Sequence, residues 1–460
     1  MSEPSDPRDD APLHDGVSPR LIDPLVRPFQ VFSHNKVAGA LLLMAATVAA
    51  LVWANSPWSD SYNELLGTNA RVGLGDFEIS KPLLLWVNDG LMAIFFFVVG
   101  LEIKREVLDG ELSSPRQAAL PIAAAFGGMV VPALVYLAFN AGKPGEAGWG
   151  IPMATDIAFA LGVLLLLGPR VPMALKIFLT ALAIVDDIGA IVVIAVFYTD
   201  SIALGSLAIG GIGLLVSIAA NITGVRNPIF YFIVGTVVWI GFLKSGVHAT
   251  LAAVLMAMTI PATTRINGRP LMNRLASLLG GLRDSGLQDN DGTLTEEQHH
   301  ALQSMERTID DATAPLADLE HALMPVVTLL VLPIFALANA GVALGGNLGA
   351  AFADPVCLGI IAGLFVGKQI GIVGCALLAV KLGWADLPRG VTWAQIHAVS
   401  ILAGIGFTMS IFIAGLAFSD PAMQETAKVG IMSASLLSAT VGGWLLVRSQ
   451  RKTDLAASTA

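Results

Sequence analysis

Along most of this 460-residue chain, apolar stretches of about 18 residues or more follow one another with only short polar breaks between them. A helix rises about 1.5 Å per residue, so each stretch is long enough to cross most of the roughly 30 Å of hydrocarbon in a bilayer. The pattern predicts an all-α polytopic membrane protein. Twelve spans are read, centred on residues 37–55, 83–103, 117–139, 147–168, 173–198, 202–221, 228–243, 246–261, 322–342, 356–380, 396–418 and 428–447. Two interruptions are longer than the rest. Residues 56–81 hold Ala70-Arg71-Val72-Gly73-Leu74-Gly75-Asp76-Phe77-Glu78-Ile79, whose rough alternation around a Gly-Asp turn predicts a short β-hairpin at about 69–80. Residues 262–320 are polar, and a capping box from Thr293 to Glu296 predicts a polar helix inside them. The stretch Asp289-Asn290-Asp291-Gly292 resembles part of a calcium loop, but the first and twelfth positions of that loop are Leu287 and Gln298.

Basic residues set the orientation, because Lys and Arg near span ends stay in the cytoplasm. Taking the spans in turn puts 20 basic residues on the side of the N-terminus and 5 opposite, so both termini are predicted to be cytoplasmic and the hairpin external. Residues 1–35 are rich in Pro and Asp and lack the apolar core of a signal peptide, which predicts a disordered cytoplasmic tail. Residues 36–448 then form the membrane domain and 449–460 a short C-terminal tail.

Composition agrees with the pattern. The chain is 55% hydrophobic and 13% charged, with a mean hydropathy of +0.73, too apolar for a soluble domain of this size. The net charge of −9 comes largely from the N-terminal tail and the long loop, so it points to no partner, and nothing indicates nucleic-acid binding. Cys357 and Cys375, the two cysteines, fall in or beside an apolar segment, which argues against a disulfide framework. No phosphate-binding loop of the Walker type is present, so ATP-driven pumping is disfavoured, and no cofactor is implied.

Against this apolar background a few charges stand out. Asp186 and Asp187 lie in Leu182-Ala183-Ile184-Val185-Asp186-Asp187-Ile188-Gly189-Ala190, with the nearest flanking charges at Lys176 and Asp200. Both therefore fall near the bilayer midplane. An ionised carboxylate there costs at least a few kcal/mol, so the pair reads as a cation or proton site facing a cavity. A helix ending at the pair would instead leave both at an interface, but apolar residues continue on either side. Lys368 sits midway along Val356–Val380, and the acidic groups at comparable depth are Asp156, Asp186 and Asp187. Snorkelling to the headgroups is the plainer alternative for this lysine, and its depth opposes it.

Two spans look broken. Gly150-Ile151-Pro152-Met153-Ala154-Thr155-Asp156 interrupts the fourth, and Ala403-Gly404-Ile405-Gly406-Phe407-Thr408 the eleventh. They fall at matching places in two three-helix groups, spans 3–5 and 10–12, which predicts two inverted three-helix repeats with discontinuous helices crossing at the midplane.

The run from Pro152 to Gly162, Pro-Met-Ala-Thr-Asp-Ile-Ala-Phe-Ala-Leu-Gly, followed by Ala181–Ala190, closely resembles the NhaA family of bacterial sodium/proton antiporters. So do Trp86-Val87-Asn88-Asp89, Gly100-Leu101-Glu102-Ile103-Lys104-Arg105-Glu106, Lys244-Ser245-Gly246-Val247-His248-Ala249-Thr250, Phe335–Gly341 and Gly367-Lys368, in order over roughly residues 35–450. Inverted repeats are themselves a recognised feature of NhaA. The resemblance implies a twelve-helix antiporter of the bacterial inner membrane that expels Na+ or Li+ against entering protons. It makes Asp187 the main cation carboxylate, Asp186 its neighbour and the ion-pair partner of Lys368, and Thr155 and Asp156 the lining of the helix crossing. It also turns the hairpin into a homodimer contact. Glu102, Arg105, Glu106, Glu320 and His321, otherwise an ordinary solvated rim, become a cytoplasmic cation funnel and pH sensor. Ala317 and Asp318 stand where the family pattern has basic residues, and Met324 where it has a second histidine, a departure that bears on the set-point of pH activation.

Chemistry alone leaves two other classes open. An intramembrane aspartyl protease also places carboxylates in helices, but it needs two from different helices around a water, whereas this pair is adjacent. A cation channel would show rings of repeated acidic or carbonyl motifs.

Overall fold

The structure, a computed structural model, describes residues 36–458 except 75–76, 169–170, 200–201, 267, 285–294 and 344–347. The tail at 1–35, the Gly75-Asp76 turn, the calcium-loop-like stretch and Thr293 lie outside the described residues.

The described chain is mostly helical. After α1 (Lys36–Ala54) come α2 (Ser59–Gly67) and the antiparallel strands β1 (Asn69–Leu74) and β2 (Phe77–Pro82), paired from Asn69↔Pro82 to Leu74↔Phe77. Then follow α3 (Leu83–Leu108), α4 (Pro115–Asn140), a 3-10 segment (Glu146–Met153), α5 (Ile157–Leu166), α6 (Met173–Phe197), α7 (Leu204–Ile222), α8 (Pro228–Leu243) and α9 (Ala249–Thr259). The long loop folds into α10 (Arg269–Asp284) and α11 (Glu296–Ala312). Beyond it lie α12 (Pro315–Asn339), the short α13 (Leu348–Ala353), α14 (Pro355–Lys381), the broken pair α15 (Trp393–Leu402) and α16 (Phe407–Ala417), and α17 (Pro421–Ser458).

Several span starts share one chemistry. Asn227, Asp354 and Asp420 each precede a proline, and their side chains accept the N–H two residues on, from Ile229 at 2.9 Å, Val356 at 2.7 Å and Ala422 at 3.0 Å. The proline removes one N–H that would lack a partner, and the side chain satisfies another.

Among the described residues, nine helical spans are long and apolar enough to cross a bilayer, and α15–α16, bent by 48°, makes a tenth. The two other segments read as spans are shorter. α8 has 16 residues and α9 only 11, so the eighth span is helical over less than the 246–261 expected for it. A left-handed turn at Gly246 (φ 85°) and the start of the helix after His248 take up its beginning. At its other end Lys104 Nζ donates to the carbonyls of Met258 (2.7 Å) and Ile260 (2.5 Å), satisfying C-terminal acceptors.

Other boundaries also move. α12 begins seven residues before the 322 expected, α17 runs through the presumed tail to Ser458, and a capping box pairs Thr295 with Gln298. The Thr295 hydroxyl accepts the Gln298 N–H at 3.3 Å, and Gln298 Oε1 accepts the Thr295 N–H at 2.9 Å. The box thus opens α11 at Glu296.

The spans that carry the midplane charges pack together. α14 lies along α4, α6 also packs on α4, and α17 packs on α14 and α15. Gly127 and Gly371 let α4 and α14 approach closely, because a Cβ on either would strike the backbone carbonyl of the other.

Candidate functional site

Helices that stop inside a membrane leave backbone groups without partners, and water is not there to supply them. The two broken spans meet this need by crossing. The Asp156 N–H donates to Ile405 O at 2.7 Å, Thr155 Oγ1 donates to Ala403 O at 2.8 Å, and Ser410 Oγ donates to Ile151 O at 2.8 Å. Each unwound segment therefore pairs with the other.

Asp156 serves both half-helices that start here. Its Oδ1 accepts the Phe159 N–H of α5 at 2.9 Å, and its Oδ2 accepts the Thr408 N–H of α16 at 3.0 Å together with the Thr408 hydroxyl. One buried carboxylate is thus placed where two helix N-termini concentrate partial positive charge. A third group completes the second N-terminus, since Ser435 Oγ on α17 accepts the Phe407 N–H at 3.2 Å.

Lys368 approaches the crossing from α14, immediately after a π turn at Ala362–Gly367. The side chain is fully buried. Its Nζ donates to Asp186 Oδ2 at 2.6 Å and to Thr155 Oγ1 at 2.9 Å, and Thr155 in turn reaches the carbonyl of Ala403 at the end of α15. The ammonium is therefore one hydroxyl away from a helix C-terminus, the sign of end that attracts a cation.

Asp186 and Asp187 are both buried in α6. Their surroundings differ. Asp186 is held by Lys368 through Oδ2, whereas the Asp187 carboxylate has no hydrogen-bond or ion-pair partner among the described residues, and Oδ1 of each is unpaired. A buried anionic oxygen without a donor is costly, and a hard cation or a proton is what removes that cost.

A cleft of about 400 Å³ opens beside α6, lined by Glu106, Leu161, Met173, Lys176 and Thr180 among others. Thr180 and Lys176 precede Asp187 by seven and eleven residues on α6, separations that return to within about 20° of the same helix face. Asp187 lies roughly 10 Å further along that face than Thr180.

At the rim of this cleft Arg105 bridges Glu320 and Glu106, the second at 3.1 Å, and Glu106 Oε2 accepts the Glu111 N–H at 3.0 Å. Glu320 is buried with Oε2 unpaired, Glu102 is half-buried one turn before Glu106 on α3, and His321 is exposed. The structure thus gathers Glu106, Arg105 and Glu320 directly and leaves His321 on the surface. At the opposite end of α6, Tyr198 donates to Ala147 O at 2.8 Å and accepts the Gly150 N–H at 3.3 Å.

Residues 30–446 match the family described as Na+/H+ antiporter 1. The chain belongs to that family. It is 52% identical over 433 residues to "Na(+)/H(+) antiporter NhaA" of Oleidesulfovibrio alaskensis, covering 94% of this chain and 96% of the relative. It is 48% identical to "Na(+)/H(+) antiporter NhaA 1" of Klebsiella pneumoniae over 433 residues, 93% and 98% of the two chains. With "Na(+)/H(+) antiporter NhaA" of Koribacter versatilis the identity is 47% over 429 residues, 93% and 92%. The family is one of transporters rather than enzymes, and with its long apolar helices this Na+/H+ antiporter 1 member is a multi-pass membrane protein.

Within this antiporter, several site residues escaped the sequence reading. Thr408 was visible only as part of a break, and nothing in its neighbourhood signals that it binds Asp156 across 252 positions. Ser410 and Ser435 look like ordinary small residues of apolar helices. Thr180 alone carried a usable signal, its seven-residue spacing from Asp187.

Proposed function

We propose that this chain exchanges cytoplasmic Na+ (or Li+) for external protons by competition at Asp186 and Asp187. The observation that carries the reading is the pair of buried carboxylates, each with an unpaired oxygen, one of them alone and the other held by Lys368. Na+ is a hard cation that takes oxygen ligands, and the Asp187 carboxylate is an anionic ligand with no hydrogen-bond partner among the described residues. Protons and Na+ neutralise the same charge, so a site exposed alternately to the two sides couples their fluxes without direct contact between them. Adjacent buried carboxylates titrate as a coupled pair. A cation that displaces one proton from Asp187 and another from Asp186 or Lys368 moves more than one proton per Na+, which makes the exchange electrogenic.

The crossing supports this role. Asp156 and Lys368 neutralise the ends of the half-helices, so the broken spans can shift relative to α6 without baring helix ends to lipid. The two unwound segments, hydrogen-bonded to each other, fit a pair of inverted three-helix repeats, and counting the shorter α8 and α9 completes twelve spans. Both termini then lie in the cytoplasm of a bacterium and the bundle in its inner membrane. The cleft at Glu106, Lys176 and Thr180 is the cytoplasmic approach, with Glu102, Arg105, Glu106, Glu320 and His321 at its rim as cation funnel and pH sensor. The hairpin is offered as the contact of a homodimer.

The deciding experiment is Na+-dependent dissipation of a pre-formed pH gradient in proteoliposomes, from pH about 6.5 to 9. Wild type should collapse the gradient, and Asp187→Asn should not. A silent wild type at every pH, or an Asn variant that works equally well, would show that the substrate site lies elsewhere.

A further inference from the structure

The α10–α11 connection takes no part in the exchange described above, yet one of its faces is built for an interface. On α10, Leu271, Leu275, Leu278 and Leu282 share an arc of about 60° and are half-buried or buried, with α11 packed against the helix. A neighbouring arc of about 60° holds Met272, Ala276, Leu279 and Arg283, and all four are exposed. Met272 is 66% and Leu279 57% accessible, large values for apolar side chains on an amphipathic helix. Arg269 borders this arc, and Arg274 lies on the far edge of the leucine stripe, both exposed.

Charge divides the two helices. α10 carries three arginines against one aspartate, whereas α11 carries five acidic residues against one arginine. Both ends of the connection are tied to the membrane domain. α9 ends at Thr259 and α12 begins at Pro315, the N–H groups of Arg265 and Ile266 donate to Asp311 O at 2.9 and 3.1 Å, and Arg265 Nη2 donates to Gly224 O at 2.7 Å beyond α7. The start of α10 is thus only a few residues from a tie to the end of α7, and the connection joins the ends of α9 and α12.

We propose that the exposed Met272–Leu279 arc of α10, which holds Arg283 and is bordered by Arg269, docks on the anionic lipid surface next to α9 and α12. Methionine and leucine enter the headgroup–acyl boundary while the arginines meet lipid phosphates, the combination that holds interfacial helices in place. The acidic α11 is repelled by the same surface, which decides the side of the pair that faces lipid. The inference does not depend on which ions the membrane domain exchanges.

The test uses the full chain in proteoliposomes, with Cys357 and Cys375 replaced by alanine and a nitroxide attached at Met272→Cys, Leu279→Cys or, on α11, Leu302→Cys. Collision with oxygen, which concentrates in lipid, and with a water-soluble nickel chelate reports depth. In phosphatidylcholine containing about one-third phosphatidylglycerol, the labels at 272 and 279 should lose nickel access severalfold relative to phosphatidylcholine alone, and the label at 302 should stay aqueous. Arg269→Gln and Arg283→Gln should each lower the docked-to-free ratio roughly fivefold, and Arg274→Gln, on the other side of the leucine stripe, should leave it nearly unchanged. Equal nickel access in the two lipids overturns the proposal. So does equal insertion of the α11 label, or protection that persists in neutral lipid and grows with protein density, which would mark a second copy as the occupant. The two-lipid comparison on unaltered arginines decides the matter even where an arginine variant fails to assemble.

Discussion

Lys368 shows what one buried charge demands of its neighbours. Its ammonium is fully enclosed and rests on Asp186 at 2.6 Å, so removing either partner alone strands the other. Lys368→Met should cost roughly 3–5 kcal/mol, read as a lower melting temperature in detergent, whereas Lys368→Met combined with Asp186→Leu should recover most of it. Single and double variants that melt alike would mean that an Asp186 stranded without its lysine costs nothing. Charges such as these were legible in the sequence because a lysine or an aspartate in an apolar run is a costly outlier whatever surrounds it. Their partners were less so. The candidates for Lys368 were Asp156, Asp186 and Asp187, and depth alone did not choose among them. Asp156 faces Thr408 and two helix N-termini instead, a pairing made by the crossing of the broken spans.

Elements begin where local chemistry decides them. A polar residue followed by proline starts α8, α14 and α17, and a Thr-to-Gln capping box starts α15, where each side chain accepts the other's backbone N–H. Breaks in the fourth and eleventh spans were visible as Gly, Pro and Thr in apolar runs, and Asp156 is what makes them tolerable. Asp156→Ala removes the acceptor of the Phe159 and Thr408 N–H groups and should destabilise by about 2–4 kcal/mol, taking up to about 2 kcal/mol per cap. Asp156→Asn keeps one carbonyl oxygen and should lose about half as much. Hydrogen exchange at residues 157–160 and 407–410 would locate the effect, and rapid exchange confined to one half-helix would refute the shared cap. Boundaries were less legible because hydrophobicity reports burial in lipid, not backbone conformation. Hence the apolar window 246–261 holds only an 11-residue helix, and α12 starts seven residues outside its apolar core.

At the scale of the molecule, separate layers are tied by a few long-range contacts. Tyr62, buried on α2 beside the hairpin, donates to Leu337 O at 2.9 Å and Ala338 O at 3.0 Å on α12, and burial pushes its phenol from 10.0 up to about 12. The folded state holds this proton more tightly than the unfolded chain. Its contribution is therefore complete below pH 10, fades as pH rises through about 12, and amounts to at most about 3 kcal/mol. Melting followed from pH about 9 to 12 should fall more steeply for wild type than for Tyr62→Phe, and parallel curves would discount the tyrosine. By itself the sequence determined what each stretch is: membrane helices from their apolar length, polar connections from their charges, breaks from their glycines and prolines, and costly charges from their background. These properties depend on neighbours within a few turns. The tertiary structure closes Lys368 on Asp186 across 182 positions, as the resemblance implies; it alone decided that Asp156 caps a helix from another span and that Asp187 Oδ1 has no hydrogen-bond partner among the described residues. Such pairings follow from how α4, α6, α14 and the crossed half-helices pack, and packing in lipid turns on small-residue contacts such as Gly127 against Gly371, which an apolar pattern does not encode.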